Sequence, residues 1–155
     1  HALRMIPPAT FPLADDAATA RLGEAVAGAL RTGEAVCLTG PLGAGKSTLA
    51  RALVRALTSP GEDVPSPTFT LVQFYEGAAF PLAHFDLYRL TSPDEAWEIG
   101  LDEALDEGAA IIEWPQRLEG ALPPDRLDIE IVFDGEGRRA RLSAHGAWEG
   151  RALEF

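Results

Sequence analysis

The chain has no asparagine, and among its 155 residues there is a single lysine, a single cysteine and a single methionine. Each scarcity excludes something. A lone Cys37 rules out an intrachain disulfide, and within an apolar run it reads as inert core packing. With 13 basic side chains against 24 acidic ones, a net charge of -11, the surface lacks the positive charge that wide, autonomous binding of RNA or DNA requires. Any service to nucleic acid is therefore expected to run through a partner. No apolar run is long enough to span a bilayer and no signal-peptide pattern opens the chain, so a cytoplasmic protein without membrane contact is expected. Residues 1–4 precede Met5, the expected natural start, and are set aside from the fold reading. What remains is ordinary: 46% hydrophobic and 24% charged residues at a length that suits one domain, 1–155, around one core.

The single lysine is Lys46, and it stands in Gly40-Pro41-Leu42-Gly43-Ala44-Gly45-Lys46-Ser47, the spacing G-x-x-x-x-G-K-[ST] of a P-loop. The context fits, because Glu34–Thr39 reads as a buried strand, and Leu49, Leu53, Val54 and Leu57 recur at helical spacing after the motif. Gly43 and Gly45 let the backbone curl so that successive N–H groups point at nucleotide phosphates, aided by the positive end of the following helix. Lys46 would bridge the β- and γ-phosphates and Ser47 would hold Mg²⁺. All other cations here are arginine, whereas phosphate cradles use lysine as a compact point charge. Pro41 removes one backbone donor, but ahead of the tight turn. The missing asparagine excludes the N-K-x-D guanine-reading loop, so ATP is favoured over GTP.

Along the chain, 8–13 reads as a short edge strand, and Asp15-Asp16 starts a helix to about Leu30 that Thr32-Gly33 closes. The segment 58–67 is a proline-punctuated loop leading to Ser66-Pro67-Thr68-Phe69; Thr68 is either a locally satisfied hydroxyl or a switch threonine for Mg²⁺ and the γ-phosphate. Residues 69–75 and 80–88 read as an antiparallel hairpin. Within it, Asp86 at a strand end is the Walker B candidate, with an exposed edge carboxylate as the alternative. His84 reads as a packed histidine and Arg89 as a surface partner. Ser92-Pro93-Asp94-Glu95 signals a helix with a serine cap, two short helices occupy 93–98 and 101–106, and 109–114 is a second buried strand. Its Glu113 would orient or activate water, or else cap the turn before Pro115, and Trp114 would close the site. A hairpin joins 127–133 to 138–143, continuing the sheet or covering its edge, with Arg138, Arg139 and Arg141 as a solvated strand face. The fold class is α/β: a mixed parallel and antiparallel sheet flanked by helices.

The P-loop, Ser66-Pro67-Thr68-Phe69, His84-Phe85-Asp86-Leu87-Tyr88-Arg89-Leu90 and Ile112-Glu113-Trp114 together resemble the small bacterial TsaE (YjeE-type) ATPases of tRNA threonylcarbamoyladenosine biosynthesis. Only the first motif is generic; the ordered set, over roughly 10–130, is specific. The resemblance implies a P-loop ATPase using ATP and Mg²⁺ that works with a threonylcarbamoyl-transferase heterodimer of TsaB–TsaD type and meets tRNA only indirectly. It implies that Lys46 and Ser47 serve phosphate and metal, Thr48 supports the phosphates and Thr68 is the switch threonine. Asp86 becomes the metal carboxylate, and Glu113 and Trp114 fill the family's Glu-Trp position. Pro41, where an acidic residue is common, and Ser47-Thr48, in place of Thr-Thr, depart from the pattern without removing a needed hydroxyl. Which of Asp86 and Glu113 meets metal and which meets water stays open. The alternatives are a small-molecule P-loop kinase and a non-hydrolysing nucleotide switch.

Overall fold

The computed structural model describes residues 4–155. Of the residues set aside before Met5, 1–3 lie outside that range, while Arg4 joins the short strand Arg4–Met5 (β1). Next come Ala9–Leu13 (β2) and the helix Asp16–Ala29 (α1), whose start is fixed by the Asp15 carboxylate accepting from the Ala18 amide. The P-loop lies between Ala35–Thr39 (β3) and Lys46–Leu57 (α2). The hairpin Val72–Glu76 (β4) and Pro81–Asp86 (β5) follows, then Asp94–Glu98 (α3), Leu101–Glu107 (α4) and Ala109–Glu113 (β6). A long hairpin, Arg126–Asp134 (β7) and Gly137–His145 (β8), and the short Leu153–Glu154 (β9) complete the chain.

Seven strands form one sheet in the order β2-β8-β7-β3-β6-β5-β4, and β1 pairs with β9 in a second, two-stranded one. The centre, β7-β3-β6-β5, is parallel; β8, β2 and β4 are added antiparallel. The C-terminal hairpin therefore continues the sheet, and the P-loop strand sits in its middle. Alternation decides which side chains go where. Val36 and Leu38 of β3, with Ala109 and Ile111 of β6, pack under α1 and α2 around Leu22, Val26, Leu49 and Leu53. Ala35 and Cys37, with Ala110 and Ile112, face the other layer, where α3 and α4 contribute Ala96 and Leu101. Burial on both faces explains the unbroken apolar runs of β3 and β6.

Four local readings are corrected. The sheet run expected from Phe69 begins only at Val72, because 67–70 form a turn and Leu71 adopts φ 70°. The serine cap at Ser92 is not made: Pro93 takes the capping position, and the Glu95 carboxylate instead accepts from the Thr91 amide and hydroxyl. Helix α1 ends at Ala29 with Leu30 extended, so Gly33 serves the later turn into β3, where its amide donates to the Gly108 carbonyl at 2.7 Å. The arginine cluster of β8 is split between two faces, as the site makes plain.

Candidate active site

The glycine spacing of the P-loop has a steric origin at each end. Gly40 has φ +143°, and a Cβ there would run into the Ile131 carbonyl of β7. Gly45 has φ +110° and is the residue from which α2 springs. The first bond from α2 back into the loop is the Leu49 amide to the Gly45 carbonyl at 3.0 Å. The amides of Lys46, Ser47 and Thr48 have no backbone acceptor among the described residues, which leaves them for an anion. Lys46 meanwhile folds back, its ammonium donating to the Gly40 carbonyl and lying 5.7 Å from the centre of the Trp114 ring.

Two carboxylates meet the loop from neighbouring strand ends. Asp86 ends β5 and Glu113 ends β6, and the two residues are paired in register, with Glu113 also opposite Leu38 of the P-loop strand. Asp86 is only 6% exposed, so it is no loose edge carboxylate. Its two oxygens accept from the Tyr88 amide at 3.0 Å and from the Thr68 hydroxyl at 3.2 Å, and Thr68 in turn bonds Ser66 at 2.7 Å. The Thr68 hydroxyl is thus held on Asp86 as well as within its loop. Glu113, 8% exposed, meets His84 Nε2 at 2.7 Å. His84 is packed as expected, but its one hydrogen bond ties it to the carboxylate of the next strand.

These groups line one cleft of about 850 Å³ that contains Gly40 to Gly43, Gly45 to Thr48, Ser66, Thr68, Asp86, Glu113 and Trp114. Ala44 lies beneath it, fully buried. Trp114 forms a wall with Tyr88, ring centres 4.7 Å apart, and its left-handed backbone (φ 58°) turns the chain out of β6 ahead of Pro115. Arg117 braces this wall from the Tyr88 carbonyl, at 3.1 Å. The available metal donors are the Asp86 and Glu113 carboxylates and the Ser47 and Thr68 hydroxyls, all oxygen. Among the described residues no group of three or more His, Cys, Asp or Glu side chains converges. One or two carboxylates with hydroxyls suit Mg²⁺, which keeps waters and takes its remaining ligands from phosphates. They do not suit an all-protein transition-metal cage.

Four residues of the cleft were given no site role from the sequence: Ser66 and Tyr88, quoted only within motifs, and two that stood outside the motifs. Asp16, read only as a helix start, and Arg138, read as part of a solvated strand face, both line it. Parity carried the second signal: Arg138 shares its side of β8 with the buried Ala140 and Leu142, whereas Arg139 and Arg141 alternate to the other side and pair with Asp134 and Glu130. Arg89 lies outside the cleft, over the Phe69 ring at 4.5 Å.

Comparison with known proteins agrees with this architecture. Residues 13–141 match the family model described as "Threonylcarbamoyl adenosine biosynthesis protein TsaE". The chain is 34% identical over 137 residues to the TsaE of Rickettsia felis, covering 88% of this chain and 80% of that one. It is 35% identical to that of Bacillus subtilis, covering 78% and 75%. A crystal structure of Bacillus subtilis YdiB superposes with a TM-score of 0.72 at 28% identity, over 94% of this chain and 88% of that one. The chain belongs to the TsaE family of threonylcarbamoyl adenosine biosynthesis proteins.

Proposed function

We propose that this protein binds ATP with Mg²⁺ and hydrolyses it in the cytoplasm, in support of tRNA threonylcarbamoyladenosine formation. It would act on a threonylcarbamoyl-transferase heterodimer of TsaB–TsaD type and meet tRNA only through that partner, in keeping with its net charge of -11. The supporting observation is the convergence of the P-loop, the Thr68–Asp86 pair and Glu113 on one cleft.

In this reading the amides at the start of α2 receive phosphate oxygens, and Thr48 supports them. Lys46 exchanges the Gly40 carbonyl for the β- and γ-phosphates. Ser47, Asp86 and Thr68 would hold Mg²⁺, which when bound neutralises charge on the phosphate oxygens. Glu113 keeps one oxygen on His84 and uses the other to orient a water, while Trp114 and Tyr88 screen the bulk solvent. Asp86, which already holds the hydroxyl of the switch threonine Thr68, is assigned to the metal, and Glu113, tied to His84 through one oxygen only, to the water.

Among the described residues lining the cleft, Lys46 and Arg138 are the only cations, and Arg138 lies on the flank away from the carboxylates. An arginine acting on the transferred phosphoryl group supplies about 10³–10⁵ in rate, so turnover alone is slow and the partner raises it. Phosphate release with and without the heterodimer tests this. Glu113→Ala should retain ATP binding and lose about 10²–10⁴ in turnover, whereas Lys46→Ala should impair both. Fast turnover that ignores the partner would overturn the reading.

A further inference from the structure

The two edges of the seven-stranded sheet differ. At one of them β2 carries Pro12, which lacks a backbone donor and guards the strand against pairing. At the other, β4 reads Val72-Gln73-Phe74-Tyr75-Glu76, with no proline, no lysine and an unbroken register against β5. The Asp86 amide donates to the Leu71 carbonyl at 2.9 Å, and hydrogen-bonded pairs recur at every second residue of an antiparallel ladder. Gln73 and Tyr75 are therefore the residues bonded to β5, while Val72, Phe74 and Glu76 turn their amides and carbonyls outward. Among the described residues no other strand, loop or helix bonds to that row. Phe74 is also 67% exposed and lies outside the cleft, so the nucleotide reading gives it nothing to do.

Charge is divided just as unevenly. From 56 to 116, the segment that holds β4, β5, α3, α4 and β6, twelve acidic residues stand against one basic residue, Arg89. The remainder carries twelve of each, so the whole net charge of -11 belongs to this half. Phe74 stands opposite Ala83, which shares a buried cluster with Ala96 and Leu101 of α3 and α4, and so Phe74 is on their face of the sheet. On those helices Asp94, Glu98, Asp102, Glu103, Asp106 and Glu107 are exposed, and none has an ion-pair partner among the described residues. Such surroundings repel RNA, an anionic membrane and a second copy of the same edge, and they attract a cationic strand.

We propose that β4 is a docking edge for an extended, basic segment of a partner protein. The segment adds to the sheet as a further strand, sets an apolar side chain on Phe74 and answers the carboxylates of α3 and α4 with its own cations. This edge is separate from the cleft, and its use does not depend on the nucleotide reading.

The probe is a short peptide alternating arginine and valine, blocked at both ends, added to the full chain. Its binding should slow hydrogen exchange at the Val72, Phe74 and Glu76 amides and leave those of β2 unchanged. A version N-methylated at every residue keeps the charge and loses the donors, and it should bind about tenfold more weakly, the scale of one or two hydrogen bonds. Phe74→Thr keeps charge and strand propensity and should weaken the unmethylated peptide by about the same factor, the scale of covering one aromatic ring. A peptide alternating glutamate and valine should not bind. Binding that survives both N-methylation and Phe74→Thr would make the acidic half a general trap for polycations and overturn the docking edge. Absence of binding, or protection at amides other than these three, would overturn it as well. Self-association of the free chain that protects the same three amides would also do so, by making a second copy the occupant.

Discussion

His84 and Glu113 form the most buried polar contact of the site, with 3% and 8% of their surfaces exposed and 2.7 Å between Nε2 and Oε2. The other ring nitrogen, Nδ1, is buried without a partner among the described residues, so the polar function of this histidine is spent on one carboxylate oxygen. That fixes the orientation of Glu113 and makes His84 a positioning residue. His84→Leu should leave a buried carboxylate without its donor, costing about 1–3 kcal/mol in stability and lowering kcat with little change in the KM for ATP. His84→Gln, whose terminal amide can reach the place of Nε2, should restore much of kcat. A loss confined to KM would refute the positioning role. Parity made part of this legible, since 82, 84 and 86 share one side of β5 and 111 and 113 share one side of β6. The contact itself was not legible, because it needed β5 and β6 to be neighbours, and sequence alone does not give the strand order.

At the scale of elements, the strands and helices followed from apolar period and turn chemistry, and the misses fell where a side chain or a close approach overrode them. Leu71 departs from an extended run that its composition favours, and the start of α3 is set by Pro93 and Glu95 in place of a serine. Gly108, between α4 and β6, shows a constraint of the same kind. It needs no left-handed backbone, but a Cβ there would overlap the Pro81 backbone at the start of β5, and backbone cannot rotate away. Its own carbonyl also receives the Gly33 amide that leads into β3. The joint therefore sets how closely β6 lies against β5, and so how the two carboxylates stand relative to each other. Gly108→Ala should cost about 1–3 kcal/mol, read as a lower urea midpoint at unchanged slope. Substitution at Gly61, where an added Cβ meets nothing within 4 Å, is the control and should be close to neutral.

The whole molecule is closed by its last ten residues, which gave no functional or structural signal in the sequence. Trp148 is fully buried in the layer under α1, and Arg151 reaches back to Glu34 with both nitrogens, at 2.6 and 2.7 Å, while also bonding the Ala29 carbonyl. Phe155 meets Phe11 edge to face. These contacts lie more than a hundred residues apart, beyond any periodicity. Arg151→Ala would leave the Glu34 carboxylate buried without its counter-ion, with only the Arg31 amide still donating to it, and a loss of about 3 kcal/mol in thermal or urea unfolding is expected.

Stability also has an alkaline limit, because two acids are buried in neutral form. Burial above all, with Asp128 alongside, pushes the Cys37 thiol up to about 12, and burial followed by Glu62 and Asp63 raises the Tyr75 hydroxyl. In the unfolded chain the thiol ionises near about 8.5, so above that pH the unfolded state releases a proton that the native state keeps. The contribution is complete below the unfolded value and declines as pH rises toward the folded one, at up to about 1.4 kcal/mol per pH unit for the thiol. Urea midpoints should therefore hold steady through pH 8 and fall above pH 9. Cys37→Ala should lessen the slope without abolishing it, because Tyr75 remains. In the wild type, thiol-reagent labelling at pH 8 should proceed only as fast as the protein unfolds; rapid labelling under native conditions would show that Cys37 is not sealed between β3 and its neighbours.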